Sequence, residues 1–233
     1  MKIEIWSDVV CPFCYISKKN FEKALSQFEN KIEIEIIWRS YELYPDMITQ
    51  SNRTFYEYMA ERDEISTEEV SLLYDFVLDM AKDSELELNL EKALLVNTKN
   101  AHLLIQLAKK QGLGSEAEEN LFHAYFVENK NIDDFNVLSK IADEVGISYS
   151  DFRAQLISDE VTKGFEFDLE RAINKEVKSV PFFLFNDSFT INGAQDEKVF
   201  LEMLNKAWLN YQSDNQEEIA KIEGKSCSID GNC

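Results

Sequence analysis

The sequence predicts an α/β fold in which a small mixed sheet is interrupted by a large helical insertion. Strand patterns lie near the two ends of the 233-residue chain, in the order β-α-β at the start and β-β-α near the end. The stretch from Asp46 to Val180 contains no proline and shows helical periodicity. A hydrophobic content of 45% is enough for a sizeable core, so a folded globular protein is expected.

The first unit is predicted to be a strand, a helix and a second strand. Residues 3–6 and 32–38 alternate apolar and polar side chains, which is typical of half-buried strands. Between them, residues 17–29 carry apolar side chains at spacings of three and four, so a helix there has one apolar face. Parallel strands joined by a helix cross over right-handedly, and ligands usually bind at their carboxyl ends. The turn that holds Cys11 and Cys14 is therefore expected at that edge.

The insertion is predicted to contain five or six packed helices. Residues 66–69 (Ser-Thr-Glu-Glu) and 115–118 (Ser-Glu-Ala-Glu) have the spacing of a capping box, which marks the start of a helix. Gly112 and Gly146 fall where helices are expected to end, because glycine readily takes the left-handed conformation found there.

The strand pattern returns after Pro181. Residues 182–192 predict a hairpin, and Asp196 is placed to cap a final helix. The predicted organisation is a domain built from residues 1–45 and 178–211, a helical insertion domain of residues 46–177, and an acidic tail of residues 212–233 that carries a cysteine pair.

The net charge limits the partners that the chain can have. It is −20, from 24 Lys and Arg against 44 Asp and Glu, so the chain repels polyanions. Nucleic acid and anionic membranes are therefore not expected as partners.

The N-terminus lacks the basic start and apolar segment of a secretory signal, which predicts a cytoplasmic protein. In a reducing compartment, cysteines are more often catalytic thiols or metal ligands than structural disulfides.

Cys11 and Cys14 form a Cys-Pro-Phe-Cys motif between a predicted strand and an amphipathic helix. The unpaired amides and positive dipole of a helix start favour a thiolate at Cys11, and the thiolate is the form that attacks disulfides. Cys14 lies one turn further into the helix, so it is expected to be less exposed and to displace a mixed disulfide by intramolecular attack. Cys11 is the predicted nucleophile, and Cys14 the resolving thiol.

Two other interpretations of the motif remain open, half of a zinc site and a chance pair. Zinc needs two further ligands, and the spacing of Cys227 and Cys233 is a poor match to the usual short ligand spacing. No metal and no cofactor is therefore predicted. The Asp230-Gly231 pair favours a turn between the two tail cysteines, so these form either a second redox pair or two free thiols.

Four motifs in the same order resemble those of the DsbA superfamily of thioredoxin-fold oxidoreductases, and more closely its cytosolic FrnE-type members. They are residues 7–15 (SDVVCPFCY), 97–102 (NTKNAH), 121–126 (LFHAYF), and 180–183 (VPFF) followed by 191–195 (INGAQ). The resemblance spans most of the chain. It implies a thioredoxin fold with a helical insertion, and a cis peptide bond before Pro181 that faces the thiols. Val180 is then the residue that pairs with an extended substrate.

The chain departs from the family's usual pattern at Glu176 and Ser179, where glycines are common.

Three polar residues outside the Cys-Pro-Phe-Cys motif also need an interpretation. We expect His102 to be a hydrogen-bonded structural histidine, His123 to take part in packing, and Asp8 to shape the turn before Cys11.

The leading functional hypothesis is a thiol-disulfide oxidoreductase that acts on protein disulfides or on low-molecular-weight thiols and disulfides. The resemblance leaves a second enzyme class open, a glutathione-dependent isomerase or transferase. Such relatives usually have serine at the nucleophile position, whereas this chain has Cys11. A third, non-enzymatic hypothesis is a redox-insensitive chaperone that uses the acidic helical surface.

Overall fold

The computed structural model describes residues 1–213, 220–223 and 227–228, the last two segments by their backbone alone. The chain forms two compact units. One consists of Met1–Leu43 and Asp168–Cys233, and the other of Tyr44–Phe167. The sequence predicts boundaries after residues 45 and 177. In the structure the units divide after residues 43 and 167, and the second division falls within the helix that runs from Asp159 to Asn174.

In chain order the described elements are β1 (Lys2–Ser7), α1 (Pro12–Gln27), β2 (Glu35–Ser40), β3 (Gln50–Thr54), α2 (Phe55–Asp63), α3 (Thr67–Asp83), β4 (Leu94–Leu95), α4 (Lys99–Lys109), α5 (Gly114–Phe126), α6 (Phe135–Glu144), α7 (Tyr149–Gln155), α8 (Asp159–Asn174), β5 (Ser179–Val180), β6 (Phe182–Phe185), β7 (Phe189–Asn192), α9 (Glu197–Ser213), β8 (Ala220–Glu223) and β9 (Cys227–Ser228). None of the helices in these parts of the chain is long and apolar enough to cross a lipid bilayer.

The main sheet has the strand order β2-β1-β6-β7-β8. β1 is parallel to β2, with Ile5 opposite Trp38, and antiparallel to β6, with Ile5 opposite Phe183. β6 and β7 form the predicted hairpin, and α1 connects β1 to β2. The predicted α/β fold with a β-α-β start, a helical insertion and a β-β-α end is confirmed.

The core of the first unit lies between the sheet and helices α1 and α9. Apolar side chains alternate along the strands, so one face of the sheet is a continuous apolar surface. The fully buried side chains that form this core include Ile3, Ile5, Phe21, Phe183, Phe185, Phe189, Ile191, Phe200 and Leu204. Each such side chain contributes about 1.5–3 kcal/mol when it leaves water. This packing fixes α1, and with it the position of the Cys11 turn at its start.

The second unit holds more regular structure than the sequence predicts. Seven helices, α2 to α8, begin within residues 55–159, against the five or six expected. β3 and β4 pair antiparallel, which was not predicted because the sequence of β3, Gln-Ser-Asn-Arg-Thr, has no apolar alternation. The capping box at Ser66 is confirmed. The one predicted at Ser115 is wrong, because α5 begins a residue earlier at Gly114 and has no side-chain cap.

Two further predictions change at the ends of the first unit. Residues 31–33 form a short 3-10 turn, so the second strand begins at Glu35 instead of Ile32. The tail contains two strands that its acidic, poorly patterned sequence does not predict. β8 extends the main sheet parallel to β7, and β9 pairs antiparallel with β5. Cys233 and the predicted turn at residues 230–231 lie outside the described residues.

Candidate active site

Cys11 occupies the N-cap of helix α1. Its backbone is extended, with φ −91° and ψ 112°, and its carbonyl oxygen accepts hydrogen bonds from the amides of Cys14 at 3.0 Å and Tyr15 at 3.4 Å. Pro12 takes the first helical position, where a missing amide costs nothing because the helix has no acceptor for it. The sulfur of Cys11 is thereby held beside the start of the helix, at the carboxyl end of β1.

Asp8 holds the turn that leads from β1 to Cys11. Its carbonyl oxygen accepts a hydrogen bond from the Cys11 amide at 2.9 Å, and its carboxylate Oδ2 accepts one from the Leu43 amide at 2.7 Å. The residue is fully buried, so the bond from the Leu43 amide replaces part of the water that the carboxylate has lost. Asp8 thus makes the contacts expected of a residue that shapes the loop.

Both thiols are buried, and neither is in a disulfide bond in this structure. Cys11 has 0% of its surface exposed and Cys14 has 2%, so the expectation that Cys11 is the more exposed of the two is wrong. The physical reason includes the segment before Pro181. Val180 is itself fully buried, and its carbonyl oxygen lies 3.8 Å from Cys11 Sγ, where it accepts a weak hydrogen bond from the thiol.

Burial raises the pKa of the Cys14 thiol well above its usual value, and a hydrogen bond and the negative charge of Cys11 raise it further. A hydrogen bond from the Asp8 backbone acts in the opposite direction without cancelling this rise. A second negative charge beside Cys11 is therefore disfavoured. The arrangement can hold one thiolate and one neutral thiol.

The segment that covers Cys11 is tied to the sheet. The Val180–Pro181 peptide bond is cis, as the resemblance implies. The Pro181 carbonyl oxygen accepts a hydrogen bond from the Gly193 amide at 2.8 Å, and the Ser179 hydroxyl donates one to Asn192 at 2.9 Å. These two bonds connect the segment to the end of β7.

Glu176 stands where glycine is common in the family that the chain resembles, and its backbone has a conformation that favours glycine. Its φ of 54° lies in the left-handed region, which glycine enters without steric cost. The residue follows helix α8, and its amide donates a hydrogen bond to the Ile173 carbonyl at 3.0 Å. The loop before Ser179 therefore keeps a left-handed turn although it has a side chain there.

A buried ionic cluster in the same unit as the two thiols was not predicted from the sequence. Glu4 on β1 is fully buried and forms ion pairs with Arg39, at 2.6 Å, and with Arg171. Arg39 also contacts Asp168 at 2.7 Å, and Asp168 accepts a hydrogen bond from the Ser40 amide at 3.0 Å. The cluster thus joins β1, β2 and the end of α8.

Burial alone would raise the pKa of Glu4, but hydrogen bonds from Arg171 and Arg39 and the charge of Arg39 lower it to about 2. Glu4 is therefore a permanent anion at neutral pH. The sequence signal was weak, because a charged residue in an alternating strand usually faces solvent. Only the return of α8 to the sheet supplies the Asp168 and Arg171 partners.

The two histidines have different surroundings. His102, on α4, is buried and its ring lies 6.1 Å from that of Phe165, which agrees with a structural role. The prediction that His123 takes part in packing is wrong, because its side chain is 53% exposed and lies 3.8 Å from Glu128. Its neighbours on α5 face the core, and consecutive helix residues point in different directions.

Within residues 1–213, 220–223 and 227–228, no three potential ligands are grouped to hold a metal ion.

Comparisons with known proteins identify the family and the fold of the chain. A family model described as a DSBA-like thioredoxin domain matches residues 2–205. The protein YwbO of Bacillus subtilis (strain 168), described as uncharacterized, is 28% identical over 208 residues, which cover 85% of this chain and 92% of YwbO.

Solved structures show the same fold. The probable DsbA oxidoreductase SCO1869 from Streptomyces coelicolor has a TM-score of 0.82 and 27% identity, covering 89% of this chain and 90% of its own. The cytosolic disulfide reductase DsbM from Pseudomonas aeruginosa, solved with GSH, has a TM-score of 0.61 and 14% identity, covering 92% of this chain and 100% of its own. The predicted thioredoxin fold is thereby confirmed.

Proposed function

The chain belongs to the family of DSBA-like thioredoxin domains, and we propose that it is a thiol-disulfide oxidoreductase whose redox pair is Cys11 and Cys14. One observation carries the proposal. A cysteine at the start of α1 lies beside the Val180 carbonyl oxygen, and a second cysteine, whose pKa is raised by burial, follows one turn later. A nucleophilic thiolate and a resolving thiol need this order.

In the first step the Cys11 thiolate attacks one sulfur of a substrate disulfide. A bond forms between Cys11 Sγ and that sulfur, the substrate disulfide breaks, and the other substrate sulfur leaves as a thiolate. The helix start supports the anion through its unpaired amides and dipole. Because Cys11 is buried, the substrate has to displace the groups that cover it before the sulfurs can meet.

In the second step Cys14 loses its proton and attacks Cys11 Sγ. The Cys11–Cys14 disulfide forms, the mixed disulfide breaks, and the second substrate sulfur leaves as a thiolate, so two electrons have passed to the substrate. Once Cys11 is in the mixed disulfide it no longer carries a charge. One of the causes that raise the pKa of Cys14 is then removed, and the resolving attack becomes easier.

The substrates that we propose are protein disulfides and low-molecular-weight thiols and disulfides. Val180 and Pro181 form the substrate-binding segment, with the Val180 backbone pairing to an extended chain. The presence of GSH in the DsbM structure supports the low-molecular-weight class. A glutathione-type thiol would return the Cys11–Cys14 disulfide to the dithiol. We propose a cytoplasmic location and a FrnE-type membership, without nucleic-acid or membrane partners and without a cofactor.

Cys227 and Cys233 are proposed as a second redox pair. The pairing of β9 with β5, which sets Cys227 opposite Val180, supports this for Cys227. Electrons would pass by the same exchange chemistry, from the tail dithiol to the Cys11–Cys14 disulfide, so that one disulfide breaks as the other forms.

Reduction of insulin and of hydroxyethyl disulfide, with glutathione as the reductant, tests the proposal. We expect the wild type to turn over at least one of these disulfides and Cys11→Ser to turn over neither. A redox titration of the wild type against glutathione then gives the direction of exchange in the cell. Suppression of aggregation that survives Cys11→Ser and Cys14→Ser, without any disulfide turnover, would favour the chaperone hypothesis. Glutathione-dependent isomerisation without disulfide turnover would favour the isomerase class.

A further inference from the structure

Strand β9 of the tail lies beside the segment that precedes Pro181. β5 and β9 pair antiparallel as a two-stranded sheet, with Ser179 opposite Ser228 and Val180 opposite Cys227. The carbonyl oxygen of Val180 also lies 3.8 Å from Cys11 Sγ. The tail backbone is thus paired with the residue that contacts the proposed nucleophile.

An extended polypeptide that binds by strand addition needs an unpaired strand edge, whose amides and carbonyl groups it then satisfies. Two chains cannot pair with the same edge at once. We infer that the tail strand, Cys227–Ser228, occupies the edge of β5 that polypeptide substrates need, and therefore competes with them. This inference rests on the proposed function, because it takes Cys11 as the reacting thiol and Val180 as the pairing residue.

The sheet itself brings the tail to this place. β8 runs parallel to β7 with Glu223 opposite Asn192, and Asn192 is opposite Phe182, the neighbour of Pro181. β8 therefore ends at the same end of the sheet as the segment that covers Cys11, and three residues of sequence separate Glu223 from Cys227. Such a tether gives the tail strand a high effective concentration at β5, which a free polypeptide has to overcome.

This competition separates the two substrate classes. Every substrate has to uncover Cys11 Sγ, but a small disulfide needs no strand pairing, so it does not compete with the docked tail for β5. A polypeptide disulfide needs the tail to leave, and its apparent affinity falls by the fraction of molecules in which the edge is free. β9 has two residues and offers few backbone hydrogen bonds, so we expect the docked tail to raise KM for a protein substrate by about tenfold.

Two variants that both lack tail thiols test the inference. The first, Cys227→Ser with Cys233→Ser, keeps the backbone amides of the strand. The second, Cys227→Pro with Ser228→Pro and Cys233→Ser, removes both amides and has the same length. With glutathione as the reductant, we expect KM for insulin to be about tenfold lower in the proline variant, and KM for hydroxyethyl disulfide to be the same in both.

Hydrogen exchange gives a readout that does not depend on catalysis. Amides in residues 177–185 should exchange faster in the proline variant than in the serine variant. Equal exchange, or equal KM for insulin with normal turnover of hydroxyethyl disulfide, overturns the competition and leaves the proposed function intact. If no form of the protein turns over either disulfide, the proposed function fails, and the competition for substrate fails with it.

Discussion

Cys11 Sγ lies 3.8 Å from the carbonyl oxygen of Val180, a residue 169 positions further along the chain. The contact joins the start of α1 to the segment before β6, and both residues are fully buried. It brings together the predicted nucleophile and the backbone that would hold a substrate.

The pKa of Cys14 should fall when Cys11 is replaced by serine. Burial raises this pKa most, and the hydrogen bond and charge of Cys11 add to it, so Cys11→Ser removes part of the rise. We expect alkylation of Cys14 by iodoacetamide to reach half its maximal rate at a lower pH in Cys11→Ser than in the wild type. Mass spectrometry of molecules with unmodified Cys11 gives the wild-type rate. Identical pH profiles would show that the two thiols do not interact.

Asp8 should stabilise the fold through its carboxylate oxygen. Asp8→Ala leaves the Leu43 amide without its 2.7 Å acceptor, which costs about 1–3 kcal/mol of unfolding free energy. Asp8→Asn keeps an acceptor oxygen and should lose much less. Urea unfolding of both variants measures the difference. Equal losses in the two variants would mean that the charge of Asp8 matters and the hydrogen bond does not.

Glu4 should make the stability of the first unit depend on pH in the acid range. Its pKa is about 2 in the folded chain against 4.5 ordinarily, so its contribution is complete above pH 4.5 and is lost as the pH falls towards 2. A shift of this size corresponds to about 3 kcal/mol. Glu4→Gln should lose roughly this amount at pH 7 and flatten the acid limb of the stability curve.

Glu35→Gln is the matched control for Glu4, because Glu35 is exposed on the neighbouring strand β2. Urea unfolding of both variants between pH 2 and 7 separates buried from exposed charge. If Glu4→Gln and Glu35→Gln lower the free energy of unfolding by the same small amount, the buried cluster does not stabilise the fold.

The tail cysteines should form their own disulfide under mild oxidation and exchange electrons with Cys11 and Cys14. Differential alkylation followed by mass spectrometry should find Cys227 and Cys233 linked in the wild type. Truncation before Ser226 should slow the oxidation of the Cys11–Cys14 pair or change its reduction potential. If Cys227 and Cys233 remain free thiols after oxidation, the hypothesis of a second redox pair is wrong. An unchanged rate and potential in the truncated chain would remove the electron relay.

Local signals in the sequence sufficed for the parts of the site that a short segment determines. The Cys-Pro-Phe-Cys spacing before an amphipathic helix predicted that Cys11 lies at the start of that helix, because helix starts depend on a few adjacent residues. Asp196 was predicted as a helix cap for the same reason, and it accepts hydrogen bonds from the Lys198 and Val199 amides.

Features that depend on distant parts of the chain were missed. Glu4 reads as a solvent-facing residue in an alternating strand until α8 supplies Arg171. β8 and β9 lie in an acidic segment, and their backbone pairing requires little from the side chains, so hydrophobic periodicity does not reveal them. The burial of Cys11 likewise depends on Val180 and could not follow from the motif alone.

The most direct test of the account is to trap the covalent intermediate. Cys14→Ser keeps the nucleophile and removes the resolving thiol, so incubation with a disulfide-containing peptide should accumulate a mixed disulfide at Cys11. Non-reducing mass spectrometry with fragment mapping measures it, and Cys11→Ser is the control that should form none. A peptide linked to Cys11 in Cys14→Ser alone is the predicted result. Absence of the adduct in Cys14→Ser, or unchanged turnover in Cys11→Ser, would contradict the account.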